Sequence, residues 1–68
     1  MTRDELTPAI VRDRAARAHI TINQLMAAAG LPGSTFWRWE KGEVKEPNAV
    51  TLQKLLDALE TAEQAKAA

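Results

Sequence analysis

Apolar residues recur along most of the chain at intervals of three and four positions, the spacing that places side chains on one face of an α-helix. No stretch alternates apolar and polar residues, so the sequence predicts no β-strand. Four sets of apolar residues are expected to face the core. They are Leu6, Ile10, Val11, Ala15 and Ala18; Ile22, Leu25, Met26 and Ala29; Phe36 and Trp39; and Leu52, Leu55, Leu56 and Leu59.

Residues that favour helix starts precede three of these sets. Thr7 is the predicted cap of a helix over 8–18, and Pro8 suits its first position because the N–H that proline lacks would have no partner there. Thr21 fits a capping box with Gln24. Asn48 is the predicted cap of the last helix.

Glycine and proline mark the helix ends. Gly30 is expected to stop the second helix and to reverse the chain in a left-handed conformation. The third helix is predicted to begin around Pro32 or Ser34 and to end near Lys41, with Gly42 just beyond it.

A loop over 43–47 leads to the closing helix at about 48–60. The alanine-rich tail at 61–68 either continues that helix or frays. The predicted fold is therefore all-α: a compact bundle of four to five short helices in one domain spanning 1–68, with a central helix-turn-helix at about 21–42.

The composition excludes several classes of function. The chain has no cysteine and one histidine, so it offers neither a disulfide framework nor a metal site. No nucleophile and base can be paired, and we expect no catalytic residue, no cofactor and no enzyme activity. No apolar stretch is long enough for a signal peptide or a membrane span, which predicts a cytoplasmic protein.

The segment around Gly30 has the dimensions of a DNA-binding helix-turn-helix. Ala28 and Ala29 are small enough for two helices to cross there. Phe36 and Trp39 would bury one face of the second helix and leave the other face for a major groove. Nine basic and nine acidic residues give a formal net charge of zero. Phosphate contact, however, needs only one locally positive face.

Residues 30–42, Gly-Leu-Pro-Gly-Ser-Thr-Phe-Trp-Arg-Trp-Glu-Lys-Gly, resemble without gaps the turn and recognition helix of the phage repressor and Cro family. Thr21 and Leu25 fall where that family has a helix cap and its first inward leucine, and the segment from Pro47 to Leu59 resembles its closing helix. The resemblance implies double-stranded DNA as the partner. Because one short recognition helix offers few contacts, we expect a homodimer at least on DNA, formed through the last helix and its tail.

The sequence departs from this family at several positions. Met26 stands where alanine is usual, and Arg14 lies near a usually apolar position. His19, expected in a turn, stands where glycine is common. Pro32 and Gly33 replace a capping residue and a polar side chain that can contact a base.

The predicted DNA-binding residues come from the starts of the second and third helices, the outer face of the third helix and the following loop. Asn23 and Gln24 would offer backbone N–H groups to a phosphate. Lys41 and Lys45 would contact the DNA backbone, although Glu43 and Glu46 weaken the local field. The full set is Thr21, Asn23, Gln24, Gly33, Ser34, Thr35, Trp37, Arg38, Lys41 and Lys45.

Some of these residues have a second interpretation. Trp39 is expected in the core. Trp37 either packs against the loop or the last helix, or contacts DNA, for example a thymine methyl group or a sugar. Arg38 either pairs with a nearby glutamate or binds guanine or a phosphate. Ser34 caps its helix, with or without a DNA contact.

The resemblance also implies that Glu40 pairs with an arginine of the first helix. Arg14 and Arg17 are the nearest candidates. Together with Arg12 and Asp13, they are expected on the solvent side of that helix.

Three hypotheses for function follow. The first is a sequence-specific regulator, encoded by a phage or prophage, that occludes a promoter. The second is an antitoxin-like or excisionase-like DNA-binding factor with a toxin or recombinase as its partner. The third is a helical protein-interaction module with a vestigial helix-turn-helix, which the neutral charge and the missing side chain at Gly33 favour. Salt-dependent DNA binding distinguishes the first two hypotheses from the third.

Overall fold

The computed structural model describes residues 5–67, which form four helices and contain no β-strand. The helices are α1 (Pro8–Arg17), α2 (Ile22–Ala29), α3 (Gly33–Lys41) and α4 (Ala49–Ala67). The all-α class is thus confirmed. No helix in this part of the chain combines the length and apolarity that crossing a membrane requires. The predicted domain limits at 1 and 68 lie outside the described residues.

The starts of α1 and α4 follow the predicted capping. Thr7 Oγ1 accepts a hydrogen bond from the Ile10 N–H at 3.2 Å. Asn48 Oδ1 accepts one from the Thr51 N–H at 2.8 Å. Each bond satisfies a first-turn donor that has no acceptor within its helix.

Of the two predicted starts of α3, Pro32 and Ser34, the structure has the one at Pro32. Its cap is Pro32, in an extended conformation and without a side-chain hydrogen bond. The Thr35 N–H donates to the Pro32 carbonyl oxygen at 3.1 Å. Ser34 lies inside the first turn, so its interpretation as a cap is wrong. The ring of proline fixes φ near the value that this position needs.

The ends of α1, α2 and α3 share one backbone motif, in which a left-handed residue follows the helix. These residues are His19, Gly30 and Gly42, with φ of 59°, 71° and 84°. The next N–H reaches back five positions to a helix carbonyl, as in a Schellman motif. The pairs are Ile20 to Ala15 (3.1 Å), Leu31 to Met26 (2.9 Å) and Glu43 to Arg38 (3.0 Å). His19 is the only left-handed residue among 5–67 that carries a side chain.

The core contains members of all four predicted apolar sets. Phe36, Leu25, Met26, Leu55, Leu59 and Val11 are the largest side chains that are fully buried. Ile10, Ile22 and Ala29 are only partly buried at its edge. α4 packs on α1 and α2, and α3 packs on both as well. This arrangement fixes α3 against the bundle along one face.

The closing helix extends past its expected end and continues through Ala67, which decides between the two alternatives for the tail. Arg14 contributes to this extension because its guanidinium donates to both carboxylate oxygens of Glu63, with Nε to Oε2 at 3.0 Å. The Arg14 side chain is only 17% exposed. Its expected place on the solvent side of α1 is therefore wrong.

Candidate nucleic-acid interface

α2 and α3 begin side by side, and residues 30–32 form the tight turn between them. Gly33 opens α3, and a Cβ placed on it would lie 3.8 Å from Asn23 Oδ1 at the start of α2. The structure therefore brings two of the predicted binding positions together. A side chain at Gly33 would meet no closer atom, so the absence of a polar group there is a property of the sequence and not a demand of packing.

The capping box at the start of α2 forms as predicted. The Gln24 N–H donates to Thr21 Oγ1 at 3.0 Å, and the Thr21 N–H donates to Gln24 Oε1 at 2.9 Å. These bonds engage the Gln24 N–H that was expected to approach a phosphate. The N–H groups of Ile22 and Asn23 in the same turn have no acceptor within the helix.

α3 has one buried face and one exposed face. Phe36 and Trp39 are 0% and 7% exposed. Ser34, Trp37, Arg38 and Lys41 are all exposed, and Thr35 is partly buried beside them. Because these four residues are spaced three or four positions apart, they form one continuous strip on the helix surface.

Arg12 of α1 binds Glu40 on the side of α3 that faces α1. Its guanidinium donates through Nε and Nη2 to the two carboxylate oxygens of Glu40, with Nη2 to Oε1 at 2.7 Å. This hydrogen bonding lowers the pKa of the Glu40 carboxyl below its ordinary value. An arginine of α1 was expected here, but the candidates Arg14 and Arg17 were wrong. Residues two positions apart point about 200° apart around a helix, so Arg12 meets α3 while Arg14 meets α4.

The indole of Trp37 lies between aromatic and cationic neighbours. The Arg12 guanidinium carbon is 5.1 Å from the Trp37 ring centroid and 5.3 Å from that of Phe36. Phe36 and Trp37 meet edge to face, with centroids 5.6 Å apart and planes at 77°. The indole remains 39% exposed. It is therefore supported on one side and open on the other.

Arg38 and Thr35 border a shallow cleft of about 230 Å³ between α3, the following loop and the start of α4. Its other lining residues are Val44, Glu46, Pro47, Asn48 and Thr51. Among the described residues, Arg38 forms no ion pair with Glu40 or Glu43, which was one of its two interpretations from the sequence. Its guanidinium is thus available to an external acceptor.

The ion pairs distinguish the arginines of α1 from the cations of α3 and the loop that follows it. The three arginines of α1 each meet a carboxylate: Arg12 with Glu40, Arg14 with Glu63 and Arg17 with Asp13. Within residues 5–67, the cations Arg38, Lys41 and Lys45 have no such partner. Glu43 and Glu46 lie in the same loop and reduce the field, as the sequence indicated.

Sequence reasoning missed Arg12, which it placed on the solvent side of α1. Hydrophobic periodicity gives no signal for this residue, since Arg12 and Glu40 lie far apart in the chain. The implied pairing of Glu40 with some arginine of α1 was the only indication. No group of three potential metal ligands occurs among the described residues.

A helix, a glycine turn and a second helix with one buried and one exposed face together define a helix-turn-helix DNA-binding domain. A family model of the Cro/C1-type HTH DNA-binding domain matches residues 11–63. The chain belongs to this family and is a DNA-binding regulator whose partner is double-stranded DNA. No curated protein and no solved structure matches it.

Proposed function

We propose that this protein is a sequence-specific transcriptional regulator of a phage or prophage that acts in the cytoplasm and occludes a promoter by binding operator half-sites. The exposed strip of α3, formed by Ser34, Trp37, Arg38 and Lys41, carries this proposal. A helix of this size fits the major groove, where base edges are distinguishable. Phe36 and Trp39 hold the helix from behind, so the strip is presented on a rigid element.

The strip and its surroundings divide into two kinds of contact. Arg38 is proposed to bind guanine O6 and N7 with its two-pronged guanidinium, because it has no carboxylate partner among the described residues. Lys41 and Lys45 are proposed to neutralise phosphates. Asn23, Gly33, Ser34 and Thr35 are proposed to complete the backbone contacts around the starts of α2 and α3. Thr21 and Gln24 are proposed to hold the first turn of α2 in place for these contacts through their capping box.

Two copies are proposed to bind a palindromic site, with half-sites about 34–36 Å apart. An apolar groove of about 390 Å³ between α2 and the second half of α4 supports a contact between copies there. Ala28, Ala58, Ala62 and Ala65 line it, and Lys54 and Asp57 give it opposite charges. A two-fold axis that crosses α4 between Lys54 and Asp57 would pair each charge with its opposite on the second copy.

The test is selection of preferred sites from a random pool of duplex DNA, followed by titration of the selected site at several salt concentrations. We expect a palindrome bound by two chains, as sedimentation would measure. The logarithm of the binding constant should fall linearly with that of the salt concentration, with a slope of about −0.9 for each phosphate neutralised.

Other results would replace the proposal. Enrichment of a non-palindromic site that binds one chain would remove the homodimer and favour an excisionase-like factor. Uniform binding to all DNA would remove the sequence-specific role. No binding even at low salt would leave the protein-interaction module as the better hypothesis.

A further inference from the structure

We infer that Trp37 recognises the C5-methyl group of a thymine and that Arg12 positions the indole for this contact. This inference rests on the proposed function and deepens it by naming one base feature and the two side chains that recognise it.

The chemistry of Trp37 limits what its indole can recognise. Its ring is a large apolar surface, 39% exposed, on a strip whose other members are Ser34, Arg38 and Lys41. An indole has one N–H donor and no acceptor, so it cannot make the paired hydrogen bonds that identify guanine or adenine. Among the base edges of the major groove, the thymine methyl group is the apolar feature. It is therefore the base feature that the exposed part of this ring matches.

Arg12 and Phe36 support the indole of Trp37. The Arg12 guanidinium lies over Trp37 at 5.1 Å and over Phe36 at 5.3 Å. Phe36 itself is completely buried, and its edge-to-face contact with Trp37 gives the indole a fixed neighbour. A side chain that is already ordered loses less conformational freedom on binding. The contacts with Arg12 and Phe36 thus prepare Trp37 for its contact.

Arg12 differs from the residues that are proposed to contact DNA directly, because its guanidinium already has a carboxylate partner. The Arg12 guanidinium donates hydrogen bonds to both carboxylate oxygens of Glu40. These bonds fix the plane of the guanidinium, and the carboxylate balances its positive charge. Arg12 therefore acts through Trp37 and is a positioning residue. A lysine at this position would keep the positive charge but would lose the planar guanidinium that lies over the indole.

The experiment uses the full chain and the operator that site selection supplies. Each thymine of a half-site is replaced in turn by deoxyuridine, which removes the C5-methyl group and preserves base pairing. The ratio of dissociation constants on the uracil and thymine operators is then measured. For the unaltered protein we expect one position in each half-site at which the ratio is about four, the factor that burial of one methyl group supplies.

Variants of Trp37 and Arg12 then test whether these two residues cause the ratio of dissociation constants on the uracil and thymine operators. Trp37→Ala should reduce it to one. Arg12→Met and Arg12→Lys should both reduce it, while affinity for the uracil operator changes much less. The matched control is Arg17→Met, which removes the same charge from the same helix at a residue paired with Asp13 of α1. It should leave the ratio unchanged. Circular dichroism confirms that each variant is folded, and Arg12→Lys retains a cation for Glu40 if Arg12→Met does not fold.

The outcomes distinguish this inference from the proposed function. If no site is selected, the proposed function fails and the inference fails with it. A selected site that is indifferent to every thymine methyl group overturns the inference alone. The same holds if Trp37→Ala weakens both operators equally, which would indicate a sugar contact. An unchanged ratio in Arg12→Lys and Arg12→Met would remove the positioning role of Arg12.

Discussion

Trp39 and Trp37 lie two residues apart in α3, and both pack edge-on against Phe36, but their surroundings differ. Trp39 is 7% exposed, with its ring centroid 6.3 Å from that of Phe36. Trp37 is 39% exposed, and its remaining support is the guanidinium of Arg12. The inner face of α3 thus consists of apolar contacts that hold the fold. The outer face consists of polar and aromatic groups that are exposed and available to a partner.

Trp39→Ala is expected to have the largest effect and to act on the inner face. Removing a buried tryptophan should lower the free energy of unfolding by about 3–5 kcal/mol, which is most of the stability of a small domain. Urea denaturation followed by circular dichroism measures the loss. Trp37→Ala is the matched control, because it removes the same side chain from the outer face. Its cost should stay below about 1.5 kcal/mol.

A folded Trp39→Ala protein that has lost only its DNA affinity would contradict the comparison. It would mean that the two tryptophans have exchanged roles, with Trp37 supporting the fold and Trp39 contacting DNA.

Arg38→Ala tests the outer face and should affect binding without affecting stability. We expect a loss of about 1–3 kcal/mol on the selected site if the guanidinium binds guanine, and a smaller loss on unrelated DNA. Titration of both DNAs measures this difference. Lys45→Ala is the control for a phosphate contact: it should weaken all sequences alike and reduce the salt slope by about one. Equal losses on both DNAs for Arg38→Ala would make Arg38 a phosphate contact.

His19→Gly should change stability without changing DNA binding, whereas Arg38→Ala should change binding without changing stability. His19 has φ of 59°, and a side chain there is strained, whereas the equivalent ends of α2 and α3 have glycine. Glycine should raise the free energy of unfolding by about 1 kcal/mol, offset in part by the greater freedom it gives the unfolded chain. Thermal unfolding measures the gain, and DNA affinity should not change. Gly30→Ala, at an equivalent helix end, should lower the stability.

The helices were predictable because their start and stop signals are local. Thr7, Thr21 and Asn48 each satisfy a donor within three residues, and Gly30 and Gly42 end helices through their own backbone conformation. The burial of Phe36 and Trp39 follows from spacing along a single helix. Such features depend only on residues close together in the chain, so they can be predicted without knowledge of how the helices pack.

The partners of α1 were not predictable in the same way. Arg12 and Arg14 look alike in sequence, yet one binds Glu40 of α3 and the other binds Glu63 of α4. Their assignment depends on the rotation of α1 in the bundle, which apolar spacing defines only coarsely. The support of Trp37 was missed for the same reason. The residues proposed to contact DNA stay a prediction, since exposure shows only that they are available.

The pH dependence of stability should be the smallest of these effects. It depends on two glutamates that pair with arginines of α1, and one of them, Glu40, lies on α3. Hydrogen bonds from Arg12 and Arg14 lower the pKa values of Glu40 and Glu63 below those of ordinary glutamates. A carboxyl whose pKa is lower in the folded state contributes stability that is present above its unfolded pKa. That stability is lost as the pH falls through the folded pKa. The melting temperature should therefore fall on acidification, and less steeply in Glu40→Gln and Glu63→Gln proteins.

The two glutamates have different neighbours, so they allow the outer face of α3 to be tested separately from the bundle. Glu40 binds the Arg12 guanidinium that contacts Trp37, whereas Glu63, near the end of α4, binds Arg14 of α1. Glu40→Gln should reduce the preference for thymine over uracil in the operator, whereas Glu63→Gln should leave it unchanged. If the two variants reduced this preference equally, the outer face would depend on the stability of the whole bundle, and the separation between the faces of α3 would not hold.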